Sequence, residues 1–231
     1  MIRLRWALPL LLLAGGAAAL EAQEFLDRGA FVIVRGGTET GRVEYAVRST
    51  TGQQGQGGLQ TVATTRTPAR EVQYVLETDN NLAPITYQAI ESSGGHVTRR
   101  VSAQVAGGRF SARASTDAGD VARELPARPP FAILGDDDYT VFYFIPRPEA
   151  GATRTLNLVR TRDLRATTGT VTGGGDDTVT VAGRPVVARR FELRLADGEV
   201  RQFWMTPAGS LVRVAVPAAG LIATRTEAPA Q

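Results

Sequence analysis

From Asp177 to Arg225 the chain reads as short apolar-rich runs, each divided from the next by a connection that carries glycine. The runs are Asp177–Val181, Val186–Leu195, Val200–Thr206, Leu211–Val216 and Leu221–Arg225. In the second, Phe191, Leu193 and Leu195 alternate with Arg190, Glu192 and Arg194, the period of a strand buried on one face. Asp197-Gly198 in the next connection is a strong hairpin signal, because both central turn positions need positive φ. Val200 and Trp204 then share a face, while Phe203 and Met205 point to the other, so that strand is expected to be covered on both sides. Pro207-Ala208-Gly209 supplies a further turn, and Val212, Val214 and Val216 alternate with Leu211, Arg213 and Ala215. Sequential strands joined this tightly can only pair as an antiparallel meander, since a parallel neighbour needs a long crossover.

The preceding residues continue the pattern. Ala30–Arg35 and Arg42–Ser49 read as a hairpin with a loose turn over 36–41, placing Val43, Tyr45 and Val47 on one face. Thr51–Gly58 is a low-complexity hairpin loop; no Gly-Lys-Ser/Thr follows its glycines, so it is no phosphate cradle. Leu59–Arg66, Arg70–Thr78, Pro84–Ser92, Val97–Val105 and Arg109–Ser115 are further strands in up-and-down order. The pattern breaks at 118–145. Ala118–Glu124 reads as a short helical turn, and Pro126–Pro130 is extended and unfit for a central strand. Phe131–Leu134, three aspartates and the aromatic run Tyr139–Ile145 follow. Asp136–Asp138 suit a helix N-terminus, whereas the propensity of the run after them favours a strand. Thr155–Arg160, Thr167–Thr172 and a turn at Gly173–Gly175 lead into the C-terminal meander.

The N-terminus carries Arg3 and Arg5, an apolar stretch over Trp6–Leu13 and then small residues, which is the layout of a signal peptide. Cleavage after Ala19 or Ala22 fits, and Ala22 is preferred because a polar end begins at Gln23. The apolar stretch is shorter than the roughly 20 residues of a membrane span. The expected organisation is a leader over 1–22 and one antiparallel β domain over 23–231, exported to the periplasm or beyond the cell, with no transmembrane span after cleavage. Cysteine is absent, so neither a disulfide nor a lipid-bearing thiol is available and the core alone must hold the fold. All 26 basic residues are arginines, and removal of Arg3, Arg5 and Glu21 leaves a net charge of +2. Arginines alternating with acids and apolar residues along strands describe a solvated sheet face and not a nucleic-acid surface.

The same inventory removes most chemistries. His96 is the one histidine, and cysteine and lysine are both missing, which excludes thiol nucleophiles, zinc thiolates and Schiff bases. Asp136, Asp137 and Asp138 could offer a cation hard oxygens, but consecutive positions in an extended segment point apart. No carboxylate pair stands out at the about 5–10 Å separation of glycoside hydrolysis. No cofactor, metal or catalytic residue is therefore expected. The aromatics are the remaining candidates: Phe131, Tyr139, Phe142, Tyr143, Phe144 and Trp204 would line an apolar pocket, or else form plain core.

Four stretches, Pro130–Tyr139, Val179–Val186, Gln202–Val214 and Pro217–Arg225, make the layout resemble uncharacterised secreted bacterial proteins of the antiparallel half-barrel type. Those are related in shape to the lipoprotein-localisation factor. The resemblance covers most of the mature chain and lies in layout and turn phrases, not in a catalytic motif. It implies a curved sheet partly wrapped around a short helical or irregular segment near 118–145, with space between them for an acyl chain. The expectation is thus a non-catalytic exported protein that binds a lipid-like ligand in its concave face. The alternative is an envelope scaffold or protein-interaction module, which an exposed sheet edge and a filled core would favour.

Overall fold

A computed structural model describes residues 25–51 and 57–229. The expected leader over 1–22 and the tip of the 51–58 loop lie outside the described residues. The sheet begins with β1 (Phe25–Arg35), β2 (Thr38–Thr51), β3 (Gly57–Arg66), β4 (Glu71–Asp79) and β5 (Pro84–Ser93). β6 (His96–Ala106), β7 (Arg109–Thr116) and β8 (Gly119–Pro126) complete an antiparallel meander. The chain then crosses to β9 (Phe131–Leu134), passes through a 3₁₀ turn at Tyr139–Phe144, and runs back through β10 (Thr153–Arg160) and β11 (Arg165–Val181). β12 (Arg184–Leu195), β13 (Val200–Met205), β14 (Leu211–Val216) and β15 (Leu221–Arg225) bring it home against β1. The result is one open, curved, 15-stranded sheet whose two edges are β8 and β9. The expected mainly-β half-barrel is what forms.

Neighbours in sequence are neighbours in the sheet except where the two meanders join. β1 pairs with β15, and β9 pairs with β10 in parallel, the one parallel ladder among the described strands. That ladder is possible because 18 residues, including the 3₁₀ turn, separate β9 from β10 and serve as its crossover. The two edges have opposite fates. All four residues of β9 are buried, and Phe131 packs on Phe110 of β7 with ring centroids 5.9 Å apart, so this edge lies inside the curl. β8 is exposed along almost its whole length.

Several local expectations change. Ala118–Glu124 is not a helical turn: Gly119, at φ 120°, closes a tight hairpin, and Val121, Arg123 and Leu125 continue the two-residue period against β7. The 36–41 turn is tight, with Gly36 and Gly37 both at positive φ. Gly173–Gly175 is a bulge within β11 and not a turn between strands, because β12 accompanies the strand past it. A Cβ on Gly173 would collide with the carbonyl of Glu149, so only glycine lets the strand bend there. In β14 a register shift opposite Trp204–Met205 breaks strict alternation, sending Val214 inward but Val212 to the outer face.

The concave face is filled. Val43, Tyr45, Val72, Tyr74, Leu76 and Tyr87 project into it from β2, β4 and β5, and the Tyr139–Phe144 turn, every residue of it buried, packs against them. Hydroxyl bonds fix the turn in place. The Tyr74 hydroxyl lies 2.6 Å from Thr140 Oγ1 and accepts the Thr140 N–H at 2.9 Å, and Thr61 Oγ1 is 3.1 Å from Thr140 Oγ1. Thr65 Oγ1 donates to the Asp137 carbonyl at 2.8 Å. Each bond satisfies a polar group that burial would otherwise penalise by about 1–3 kcal/mol.

Candidate ligand cleft

Five of the six candidate aromatics come together inside the curve. Phe131, on β9, packs on Phe110; Phe142 packs on Phe203 at 5.2 Å, and Phe203 stacks on Phe191 at 5.1 Å. Tyr139, Tyr143 and Phe144 fill the remaining space within the same core. The Tyr143 hydroxyl accepts the Leu211 N–H at 2.9 Å and donates to Asp27. Arg225 bonds Asp27 at 2.8 Å and the Tyr45 hydroxyl at 2.7 Å, which closes the join of the two meanders. Burial raises the pKa of Tyr45, Tyr139 and Tyr143 above the ordinary phenol value, so all three remain neutral hydrogen-bonding groups.

Trp204 stands apart from the other five. Its alternation with Phe203 puts it on the outer face, where it packs with Val179, Val181, Ala188, Val212 and Ala215 and donates its indole N–H to Asp177 at 2.9 Å. The tip of the β11–β12 hairpin, bent at the glycine bulge, is what covers it.

The two ends of the rolled sheet differ in chemistry. One end gathers the β3–β4 and β10–β11 connections, the close of β5 and the Gly135–Asp138 corner around a polar hollow of about 290 Å³. The three aspartates there share no partner. Asp136 binds Arg201 at 3.0 Å and Arg162 at 3.4 Å, Asp137 binds Arg70, and Asp138 accepts from the Tyr87 hydroxyl. Asp138 occupies the N-cap position of the 3₁₀ turn but makes no side-chain cap bond. Desolvation pushes its pKa up to about 7, against the hydrogen bond from Tyr87, which favours the ionised form. Arg99 bonds Glu91 at 3.1 Å, and buried Arg201 bonds Glu199 at 2.6 Å and the Gly135 carbonyl at 2.7 Å. Among the described residues no group of three or more His, Cys, Asp or Glu is placed to hold a metal, and His96 is exposed at the start of β6.

The opposite end has a cleft of about 660 Å³. Leu82 from the β4–β5 turn, Pro84 at the start of β5, Val105 from β6, Pro129 and Pro130 from the crossing segment, and Phe131 form its apolar wall. Asp79 shapes one side: its side chain accepts the N–H groups of Asn81 at 2.8 Å and Ala83 at 2.9 Å, which holds Leu82 at φ 64°. Arg147 and Arg154 stand at the exposed rim, and no carboxylate lines the cleft among the described residues. Of the six aromatic candidates, only Phe131 reaches it. Sequence reasoning marked the proline cluster as irregular but did not find Leu82, Arg147 or Arg154. They come from segments distant in the chain, with no local pattern joining them.

No family model and no curated protein matches the chain. Among solved structures it is similar to a β-barrel-like protein of domain of unknown function DUF1849 from Brucella abortus. That likeness has a TM-score of 0.52 at 13% identity, over 86% of this chain and 94% of that one. A DUF1089 family protein from Pseudomonas aeruginosa aligns at a TM-score of 0.43 and 13% identity, over 77% of this chain and 90% of that one. The first likeness concerns the fold: a β-barrel-like sheet of uncharacterised kind.

Proposed function

We propose that this chain is an exported, non-catalytic binding protein whose ligand is apolar or amphipathic and enters the cleft beside Phe131. The middle of the concave face is occupied by the protein's own aromatics, so a ligand there would have to expel the Tyr139–Phe144 turn. The observation that carries the reading is the cleft itself. Its 660 Å³ falls within the about 300–1,000 Å³ of small-molecule sites, and its wall is apolar with few polar groups. The titratable groups at the other end are spent on one another, which supports a role without catalysis. The leader-like N-terminus supports export to the periplasm or the cell exterior.

A second reading rests on β8. This edge strand presents unpaired backbone groups, and Val121 on it is 42% exposed, so a partner strand could add to the sheet there. Its charged pairs Arg113–Asp120 and Arg109–Glu124 and its terminal Pro126 are devices that limit indiscriminate pairing. Native mass spectrometry of the mature protein, purified from an expressing bacterium and incubated with lipid extract, separates the two. A reproducible added mass that organic solvent removes is the expected result. A clean apo mass would refute ligand binding and leave the edge-strand partner as the function.

A further inference from the structure

We infer that the cleft beside Phe131 takes a single-chain anionic amphiphile, a long-chain carboxylate, with Arg147 and Arg154 holding its head group. This rests on the reading that the cleft is the ligand site and adds the chemistry of the ligand. The wall of Leu82, Val105, Pro129, Pro130 and Phe131 offers an acyl chain contact but no hydrogen bond from a side chain. The volume of about 660 Å³ has room for one such chain. The charge is all of one sign: two guanidiniums and no lining carboxylate among the described residues.

Neither arginine is answered by the protein. At the opposite end Arg70, Arg99, Arg162 and Arg201 each meet a carboxylate. Arg147 and Arg154 take part in no ion pair or side-chain hydrogen bond among the described residues. Arg147 stays accessible to solvent, yet the protein packed around it lowers its pKa from the ordinary arginine value by desolvation. A cation in that position gains from any anion brought to it. Guanidinium forks match the two oxygens of a carboxylate, and such charge-assisted bonds are about twice as strong as neutral ones. An apolar slot with a cationic rim therefore selects a molecule with an apolar tail and an anionic head.

The test compares palmitate with hexadecanol, which has the same chain and no charge, by calorimetric titration of the mature protein and of the Arg147→Gln/Arg154→Gln double variant. Palmitate is expected to bind the native protein more tightly than hexadecanol. The double variant is expected to lose about tenfold or more of the palmitate affinity, keep its hexadecanol affinity and melt at an unchanged temperature. Equal binding of the two ligands, or palmitate binding untouched in the double variant, would overturn the head-group inference while leaving an apolar ligand site in place. Binding of neither would overturn the cleft as a ligand site altogether.

Discussion

The two ends of the rolled sheet are built from the same kinds of turns, yet at one the charged groups pair with one another and at the other two guanidiniums stand without a partner. At the Asp136–Asp138 end Arg70, Arg99, Arg162 and Arg201 each have a carboxylate, and the buried Asp138 has a phenol. At the proline-lined end two arginines face solvent over an apolar wall with no counter-charge. The proposed ligand site rests on that difference. A closed polar network spends its binding capacity on the protein itself, whereas an apolar cleft with unanswered cations keeps that capacity for something else.

The largest expected effect breaks the aromatic filling that divides the ends. Phe142→Ala removes a fully buried ring that packs on Phe203 and is expected to cost about 3–5 kcal/mol of stability, read from urea unfolding. A loss below about 1 kcal/mol would mean that the filling is loose enough to admit a ligand after all.

Asp138 sharpens the contrast through pH. Its folded pKa, about 7, lies above the usual carboxylate value, so the folded state holds a proton that the unfolded state has released between about pH 4 and 7. Its contribution is fully present below about pH 4 and is lost as pH rises towards 7, by up to about 4 kcal/mol. Asp138→Asn keeps an acceptor for Tyr87 and removes the titration. The stability difference between variant and native protein is expected to grow over that pH range, and a flat difference would place Asp138 in a wetter site.

Two arginine substitutions then compare the ends directly. Arg201→Gln leaves Asp136, Glu199 and the Gly135 carbonyl without their buried donor and is expected to cost about 2–3 kcal/mol. Arg147→Gln is expected to change stability by no more than about 0.5 kcal/mol, as for a surface position with no partner. Thermal melts of the two variants side by side check this, and equal losses would erase the distinction between the ends.

Most strands were legible because their signals are local. The alternation of Val43, Tyr45 and Val47, or of Val72, Tyr74 and Leu76, is a period-two pattern that the sheet buries as written. The glycine turn at 198 was legible for the same reason. The failures are non-local. Nothing near Gly119 shows that it opens an edge strand, and nothing near Gly173 shows that the Glu149 carbonyl will approach it. The aromatic candidates illustrate both cases. Phe131 and the 139–144 residues meet because a short chain segment carries them all inside the curl. Trp204 was grouped with them by residue type, although its alternation with Phe203 already pointed it outward. The cleft was illegible, since its wall and rim come from the β4–β5 turn, the end of β6, the crossing segment, residues 146–147 and the start of β10.

The most direct test of a filled core with the proposed binding site at one end is backbone amide NMR of the labelled protein titrated with palmitate. Shifts confined to Leu82, Gly108, Phe131, Arg147 and Arg154 are predicted, with Tyr74, Phe142 and the Asp136–Asp138 corner unmoved. Shifts centred on Tyr74, Thr140 and Phe142 would mean that the ligand displaces the aromatic turn, and would contradict the account.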